Sequence, residues 1–396
     1  MNKLNEPVAI IGAKRTPVGK FGGGLASFAA TELGSIAAKA AIIQSGIDSR
    51  EISLSVFGQV LQAGCGQNPA RQVALGAGLQ ESSIAFTLNM VCGSGLKAIH
   101  TAAQSIRAGE HDYAIAGGME SMSRAPYYSQ KSRWGVGYGN MFLEDGMLVD
   151  GLTDAYSKKH MGEAAEWVAE KYKISRDEQD NFSLNSQKKT EKAYSENKFQ
   201  DELIKLQIED GDKKFIFEKD EHPRENLSID DLKKLKTVFK ENGTVTPGNS
   251  SGINDGAAAL VLMSREQAEK KSLEPLVKIV SWATCGVEPS LMGLGPIPSI
   301  QEALSKANWK IDEVDLFEIN EAFAAQSIAV IEELKIPEQK VNVNGGAIAL
   351  GHPIGASGAR ILVTLVHEMI KQDKKKGCAA LCIGGGMGIA MCIERS

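Results

Sequence analysis

The chain repeats one helix-to-strand pattern in its two halves, and this repeat limits its possible folds more than any other feature. Ser94-Gly95 opens a helix pattern that leads to a strand ending in IAGGM at residues 115–119. Ser357-Gly358 opens a second helix pattern that leads to a strand ending in IGGGM at residues 383–387. Two similar α/β units packed together bring equivalent strand ends face to face, where sites of α/β proteins lie. The repeat therefore predicts an α/β protein with two duplicated halves and a site between them.

Apolar runs typical of buried strands alternate with helical patterns along both halves, which is the order of an α/β fold. In the first half, strands are predicted at residues 8–13, 55–61, 84–88 and 113–118, with helices near 31–45, near 68–78 and after Cys92. In the second half, strands are predicted at residues 277–287, 314–319, 340–345 and 379–386, with helices near 298–307 and from about 321 and about 357.

The stretch from residue 121 to about 250 differs from both halves. It contains no cysteine, is rich in charge, and shows helix patterns at 161–172 and 176–197 with only weak strand signal. Its turn-rich end, 243–258, leads into a predicted strand at 259–263. Because 396 residues exceed what one core usually supports, several domains are expected. The predicted division is a first half of 1–120 plus 251–275, a loop domain of 121–250 and a second half of 276–396.

The overall charge argues against nucleic-acid binding. The chain is 43% hydrophobic and 23% charged, and its net charge of −5 leaves no basic excess. Lysines do cluster at residues 231–240 and 371–377. Such runs are usually solvated faces, although either could contact an anionic small molecule.

The start of the chain and its cysteines indicate a cytoplasmic protein without membrane association. An apolar run of six residues precedes Lys14, which is too short for a signal peptide or a membrane span. The six cysteines are therefore expected to be free thiols. A metal site is not expected, because no CxxC motif occurs and no histidine pair lies near Cys378 and Cys382.

Cys92 lies at a strand-to-helix junction within LNMVCGSGLKAIH, residues 88–100. At such a junction, unpaired backbone N–H groups and the positive end of the helix dipole favour a thiolate. Gly93 and Gly95 also leave room for another molecule near the sulfur. From this stretch alone, a reactive thiol and a small buried hydrophobic residue at a tight turn are about equally supported.

Two further residues of the second half support the reactive interpretation. His352 lies in a Gly-rich turn at 345–358, just before a predicted helix, and Cys382 precedes glycines at a strand end. A histidine beside a cysteine supplies an activated nucleophile, and neighbouring glycine N–H groups can stabilise an oxyanion. A dinucleotide-binding fingerprint is not formed, because Ile389 stands where its last glycine would be needed.

Several long motifs occur in order along nearly the whole chain. They are NMVCGSGLKA, GGMESMS, HMGEAAE, GNSSGINDGAA, NEAFAAQ, NVNGGAIALGHPIGASGAR and CIGGGMGIA. Together they resemble the thiolases, and within them the biosynthetic short-chain type. This resemblance implies a five-layered αβαβα fold in which the loop domain holds coenzyme A.

The activity implied by the resemblance is acetyl-CoA C-acetyltransferase, the reversible condensation of two acetyl-CoA molecules to acetoacetyl-CoA and CoA. Coenzyme A would be substrate and product, with no tightly bound cofactor, and the family is usually homotetrameric. By the same resemblance, Cys92 would carry the acetyl group, His352 would activate it, and Cys382 would be the second acid/base. Asn320 would hold a water and form one oxyanion hole with His352, and the backbone N–H groups of Cys92 and Gly384 would form the other.

The resemblance also implies a set of coenzyme contacts. Arg224 would lie near the adenine nucleotide, and Ser251 would hydrogen-bond to the pantetheine amide. The remaining contacts would be His160, Met161, Leu235, Phe239, Met292 and Phe323. Asp231 stands where many thiolases have a small hydroxyl residue, so its contact with the ribose stays open.

Other functions remain open at this point. One alternative is a degradative 3-ketoacyl-CoA thiolase with broader chain length, although residues 62–72 and Met292 resemble the short-chain biosynthetic group. A ketoacyl synthase or hydroxymethylglutaryl-CoA synthase would need Cys-His-His or Cys-His-Glu rather than the set of Cys92, His352 and Cys382. A thiol-based redox sensor or a non-catalytic acyl-CoA binder would show no turnover.

Overall fold

The computed structural model describes residues 7–210 and 213–395. Its strands are β1 (Val8–Arg15), β2 (Gly19–Lys20), β3 (Leu54–Gly58), β4 (Ile84–Leu88), β5 (Tyr113–Ser121), β6 (Tyr127–Tyr128), β7 (Glu144–Asp145), β8 (Leu206–Asp210), β9 (Lys213–Phe217), β10 (Asn254–Met263), β11 (Val277–Gly286), β12 (Leu316–Ile319), β13 (Lys376–Ile383) and β14 (Met387–Glu394).

The α-helices are α1 (Ala30–Ser45), α2 (Pro69–Gly76), α3 (Ser94–Ala108), α4 (Met161–Tyr172), α5 (Arg176–Ser195), α6 (Ile229–Lys233), α7 (Arg265–Lys270), α8 (Pro296–Ala307), α9 (Ala324–Leu334), α10 (Ala347–Leu350) and α11 (Ser357–Lys371). Short 3₁₀ segments lie at Ser49–Glu51, Met122–Arg124, Pro289–Leu294, Ile311–Glu313 and Glu338–Lys340, and a π turn lies at Leu148–Leu152. No helix among the described residues is both long and apolar enough to cross a membrane.

The strands of the two halves join into one mixed sheet. Its order is β12-β13-β14-β11-β1-β10-β5-β3-β4, with β2 attached to β10. The two halves meet where β1 pairs with β11 in the register Val8 to Ile279. Within the halves, β3 runs parallel to β4 and β5, and β12 runs parallel to β13. Each half therefore contributes one continuous part of this sheet, and the two parts join where β1 pairs with β11.

Three hydrophobic clusters define five layers. The central cluster joins α3 and α11 to strands of both halves. A second cluster packs α1 and α2 on the outer face of the first half, and a third packs α8 and α9 on the outer face of the second half. This αβαβα arrangement confirms the predicted fold class.

The repeated Ser-Gly pairs bring the starts of the two central helices into contact. A Cβ atom on Gly95 would lie 2.8 Å from the backbone nitrogen of Ala359, and one on Gly358 would lie 2.4 Å from that of Leu96. A side chain at either position would force the helices apart. Because Cys92 and His352 precede these two helices, the contact brings both residues to the same place.

The strand predicted at residues 340–345 is wrong. The segment contains the end of a 3₁₀ segment, an isolated bridge from Val341 to Phe317, and a turn. Asn342 has φ of 44° and Gly345 has φ of 80°, and neither value fits a strand. The Asn342 side chain instead makes two bonds to the backbone of Ile319. Its Oδ1 accepts from the Ile319 N–H at 2.9 Å, and its Nδ2 donates to the Ile319 carbonyl at 2.8 Å.

The segment between the halves contains α4, α5 and α6, together with two small hairpins, β6-β7 and β8-β9. The helix predicted at 161–172 is confirmed, and β10 begins at Asn254, ahead of the predicted start at 259. Arg15 of β1 is fully buried and bridges Glu202 at 2.6 Å and Asp220 at 2.7 Å. These buried ion pairs attach the segment to the first half.

Candidate active site

One cavity of about 400 Å³ lies where the two halves and the intervening segment meet. Cys92 enters it just before α3, His352 from the turn before α11, and Cys382 from the end of β13. The cavity is lined by Val91, Cys92, Met122, Gly151, Leu152, His160, Met161, His222, Arg224, Phe239, Pro247, Ser250, Ser251, Gly252, Ile253, Met292, Ala322, Phe323, His352, Ile354, Cys382 and Gly384. Leu235 and Asn320 are the predicted site residues outside this lining.

A strained turn presents Cys92. The preceding residue, Val91, has φ of 45°, which is costly for a β-branched residue. Its N–H donates to Asn89 Oδ1 at 2.9 Å, and its carbonyl accepts from Ser94 Oγ at 2.7 Å. Ser94 Oγ also accepts from the N–H of Met90 at 2.8 Å. Two side chains thus hold the turn in a conformation that the sequence pattern around Cys92 did not predict.

Burial at Cys92 favours the protonated thiol and opposes the thiolate that its helix-start position favours. Burial raises the pKa of Cys92 to about 11, and the nearby Glu120 charge acts in the same direction. The backbone N–H groups of Gly384 and of Cys92 itself lower this pKa and so act in the opposite direction. Desolvation therefore outweighs the helix start, and the thiol needs a base before it can react.

His352 is held as a neutral imidazole. Burial lowers its pKa to about 3, with a smaller effect in the same direction from Arg360. Its Nδ1 lies 2.6 Å from Ser357 Oγ, which in turn donates to the carbonyl of Pro353 at 2.9 Å. Since the hydroxyl has one proton, the network assigns the Nδ1 proton to the ring and leaves Nε2 unprotonated. An unprotonated Nε2 can accept a proton within the cavity.

The other three residues predicted to be catalytic, Cys382, Asn320 and Gly384, lie near Cys92 and His352. Cys382 is buried at the end of β13, and burial raises the pKa of its thiol well above its usual value. The Asn320 amide is buried and lies 3.4 Å from His352 Nδ1, and its backbone N–H bonds to Ala380. Gly384 lines the cavity, and its backbone N–H lowers the pKa of Cys92. One cavity therefore contains two protonated thiols, a neutral imidazole and backbone donors.

The segment between the halves supplies an aromatic wall. His160 caps α4 by accepting from the N–H of Gly162 at 3.1 Å, and its ring stacks on Phe239 with centroids 4.7 Å apart. Phe239 meets Phe323 edge to face at 6.4 Å. Aromatic and apolar side chains of this kind are the usual lining of small-molecule sites.

The remaining predicted coenzyme contacts divide into two groups. Arg224, Ser251, Met161 and Met292 line the cavity. Leu235 is not part of the lining and lies next to Gly248. Asp231 is exposed and its carboxylate bonds to Ser228 as part of the α6 cap, which accounts for its side chain without a ligand.

Sequence reasoning did not identify four residues that line or support the site: Val91, His222, Ser357 and Glu120. His222 lines the cavity, and burial lowers its pKa to about 4. Ser357 lies within a motif already quoted, five residues after His352, and His222 lies two residues before Arg224. Val91 carries no local signal, because nothing in a β-branched residue indicates a left-handed backbone.

The fold and site together define a class of α/β enzyme in which two cysteines and a histidine meet in one cavity between two repeated halves. Residues 8–266 match the thiolase N-terminal domain, and residues 273–395 match the thiolase C-terminal domain. The chain therefore belongs to the thiolase family, as its motifs predicted.

Relatives and solved structures of the same family match over nearly their whole length. The chain is 53% identical to an acetyl-CoA acetyltransferase of Chromobacterium violaceum over 98% of the chain and 99% of the relative. It is 49% identical to the cytosolic acetyl-CoA acetyltransferase of Mus musculus over 100% of both. The Bacillus anthracis acetyl-CoA acetyltransferase structure has a TM-score of 0.96 at 42% identity, covering 98% of each chain. Human mitochondrial 3-ketoacyl-CoA thiolase has the same TM-score and identity, covering 99% of this chain and 100% of that one.

Proposed function

We propose that the protein is an acetyl-CoA C-acetyltransferase that condenses two acetyl-CoA molecules to acetoacetyl-CoA and CoA, and catalyses the reverse thiolysis. The observation that carries this proposal is the convergence of Cys92, His352 and Cys382 on one cavity. Relatives named acetyl-CoA acetyltransferase, about half identical over the whole chain, support the choice of acyl group.

The first half-reaction is transfer of the acetyl group to Cys92. Because the resting thiol holds its proton and His352 is neutral, His352 Nε2 accepts the proton as the sulfur attacks the thioester carbonyl. The N–H groups of Cys92 and Gly384 stabilise the resulting oxyanion. The carbonyl re-forms, the bond to CoA sulfur breaks, and CoA leaves as a thiol after taking the proton.

The second half-reaction forms the carbon–carbon bond. Cys382 passes its thiol proton to His352 Nε2 and then, as a thiolate, removes a proton from the methyl group of a second acetyl-CoA. The protonated His352, with a water held by Asn320, stabilises the enolate oxygen. The carbanion carbon attacks the acetyl group on Cys92, the bond from that acetyl group to the Cys92 sulfur breaks, and the sulfur takes the proton from His352 to become a thiol again. The raised pKa of Cys382 suits this step, because the carbon-bound proton is also weakly acidic.

Coenzyme A would reach this point through the part of the cavity formed by the intervening segment. His160, Met161, Phe239 and Phe323 would contact the pantetheine arm, together with Leu235, Met292 and Ser251. Arg224 would lie near the nucleotide. The stacked rings of His160 and Phe239 support this placement.

A second candidate is a 3-ketoacyl-CoA thiolase with broader chain length, favoured by the equal TM-score of the human mitochondrial enzyme. Met122, Leu152 and Ile354 wall the cavity on the Cys92 side and would limit the acyl chain. Thiolysis rates for 3-ketoacyl-CoA substrates of increasing length distinguish the two. A steep fall after acetoacetyl-CoA supports the acetyltransferase, and similar rates for long chains support the alternative.

The protein would act as a homotetramer in the cytoplasm, in lipid metabolism. Two exposed apolar surfaces support assembly: edge strand β4, with Ile84 54% and Phe86 39% exposed, and the segment around Trp134 and Phe142, 93% and 79% exposed. The cytosolic mouse relative supports the location. Light scattering after size exclusion would give the mass of four chains; a monomer would contradict the assembly.

Labelled acetyl-CoA tests the function. The label should appear on Cys92 and be released as acetoacetyl-CoA when more acetyl-CoA is added. Cys92→Ala should lose acetylation, condensation and thiolysis while keeping its circular dichroism spectrum. A redox sensor would take up no label, and a pure binder would bind acetyl-CoA without transferring it. Label on Cys65 or Cys382 in Cys92→Ala would overturn the assignment.

A further inference from the structure

Glu120, at the end of β5, is a fully buried carboxylate whose three bonds all go to backbone N–H groups beside the cavity. Its Oε2 accepts from Val60 at 3.0 Å and from Gly355 at 2.9 Å. Its Oε1 accepts from Leu61 at 3.1 Å. The proposed mechanism does not use this group.

The three N–H groups belong to the segments that surround the nucleophile and the base. Val60 and Leu61 pack with Ile354 in the hydrophobic cluster that contacts Cys92. Gly355 follows Ile354 in the turn between His352 and Ser357. A single carboxylate of the first half therefore ties the wall beside Cys92 to the turn of the second half that carries His352.

The backbone is shaped for this contact. A Cβ atom on Gly355 would lie 2.6 Å from Glu120 Oε2 and 2.7 Å from the carbonyl of Met119. A Cβ atom on Gly118 would lie 2.2 Å from the carbonyl of Gly355. Both glycines therefore permit the turn to approach the end of β5. Gly118 is the second glycine of the IAGGM strand ending, and the close approach of the Gly355 carbonyl explains why a glycine is needed there.

The arrangement is costly to the fold. Burial raises the pKa of Glu120 to about 7, although the three N–H groups act in the opposite direction, and the Asp255 charge of neighbouring β10 adds to the increase. An apolar residue would avoid this desolvation but would leave three buried N–H groups without their acceptor.

We infer that Glu120 is a positioning residue that fixes the His352 turn and the Val60–Leu61 wall relative to Cys92. This inference rests on the proposed acyl transfer at Cys92. Displacement of catalytic groups by about 1 Å can cost on the order of 10²-fold in rate, whereas the coenzyme contacts lie on other segments. Loss of Glu120 should therefore lower kcat and leave KM nearly unchanged.

The test compares Glu120→Gln, Glu120→Asp and wild type in single-turnover acetylation and in steady-state condensation. Glu120→Gln keeps the length but cannot accept from all three N–H groups, and we expect acetylation and kcat to fall about 10- to 100-fold with KM for acetyl-CoA within about twofold. Glu120→Asp keeps the charge but not the reach, and it should lose at least as much. Glu368→Gln is the control, because Glu368 is equally buried and accepts from Asn344 and Gln372, away from the cavity.

A folded Glu120→Gln protein with wild-type acetylation would overturn the inference. An equal loss of kcat in Glu368→Gln would also overturn it, because a general loss of packing on removal of a buried carboxylate would then explain both variants. If the Glu120 variants do not fold, Gly355→Ala is used instead, because it perturbs the same contact from the side of the turn. A folded Gly355→Ala protein with the kcat of wild type would also contradict the inference. Failure of wild type itself to become acetylated would instead refute the proposed function.

Discussion

His352 Nδ1 and Ser357 Oγ lie 2.6 Å apart across the turn that begins α11. Ser357 thereby orients the imidazole and selects the tautomer whose Nε2 is free to accept a proton. The same hydroxyl bonds to the carbonyl of Pro353, so that one side chain fixes both the ring and the turn. The proposed base therefore depends on a serine of the repeated Ser-Gly pair.

Removing that hydroxyl should slow acylation without weakening coenzyme binding. We expect Ser357→Ala to lower single-turnover acetylation of Cys92 by roughly 10- to 100-fold, because the ring loses its orienting partner. Ser299→Ala is a matched control, since Ser299 is equally buried and makes the same bond to a carbonyl four residues earlier, at Gly295. Equal rates in Ser357→Ala and wild type would show that the ring needs no such partner.

Cys382→Ser should separate the two half-reactions. A serine hydroxyl is a much weaker acid and base than a thiol at neutral pH, so acetylation of Cys92 should survive while α-proton transfer fails. Label on Cys92 and solvent deuterium entering the acetyl methyl group are measured together. Cys285→Ser controls for loss of a thiol outside the cavity lining. Normal deuterium exchange in Cys382→Ser would remove Cys382 from the mechanism.

Arg224→Ala should act on coenzyme binding. Arg224 lines the cavity, and its backbone N–H bonds to Gln187 of α5 at 3.0 Å, which places it on the intervening segment. KM for acetyl-CoA should rise with little change in kcat, as expected for lost uniform binding. An acetyl-pantetheine thioester without the nucleotide should show the same KM in variant and wild type. A large fall in kcat would contradict the placement.

Stability should fall with acidity through His352. Its pKa is lowered from 6.5 to about 3, so between these values the unfolded chain binds a proton that the folded protein excludes. The stabilising contribution is present above pH 6.5 and is lost as the pH falls toward 3. His100 and His222, with pKa values lowered to about 3 and about 4, act with the same sign.

The measurement is the urea concentration at the midpoint of unfolding, at about pH 7 and at about pH 5. From the higher to the lower pH, the midpoint of wild type should fall, and that of His352→Asn should fall less. Intrinsic fluorescence and circular dichroism should report the same transition. An identical pH dependence in the two proteins would show that His352 is not held neutral by the fold.

Local sequence patterns determined most of the architecture. The helix at Met161–Tyr172 and the strand at Ile84–Leu88 were predicted to the residue, because periodicity and turn residues are properties of a short stretch. The repeat likewise indicated that equivalent strand ends of the two halves would face each other with a site between them. The strand prediction for residues 340–345 was wrong because the alternating apolar and polar residues of this segment resemble a strand. The actual conformation depends on the bond between Asn342 and Ile319, and Ile319 lies outside the segment.

Tertiary structure alone decided the protonation and alignment of the site. Local context at Cys92 indicated a thiolate, but burial among residues from both halves raises its pKa to about 11. Glu120 reads in the sequence as an ordinary charged residue, yet its carboxylate joins segments 60 residues before it and 235 after it in the chain. Desolvation and the meeting of backbone N–H groups depend on distances between remote segments, and neither quantity is present in any short stretch of sequence.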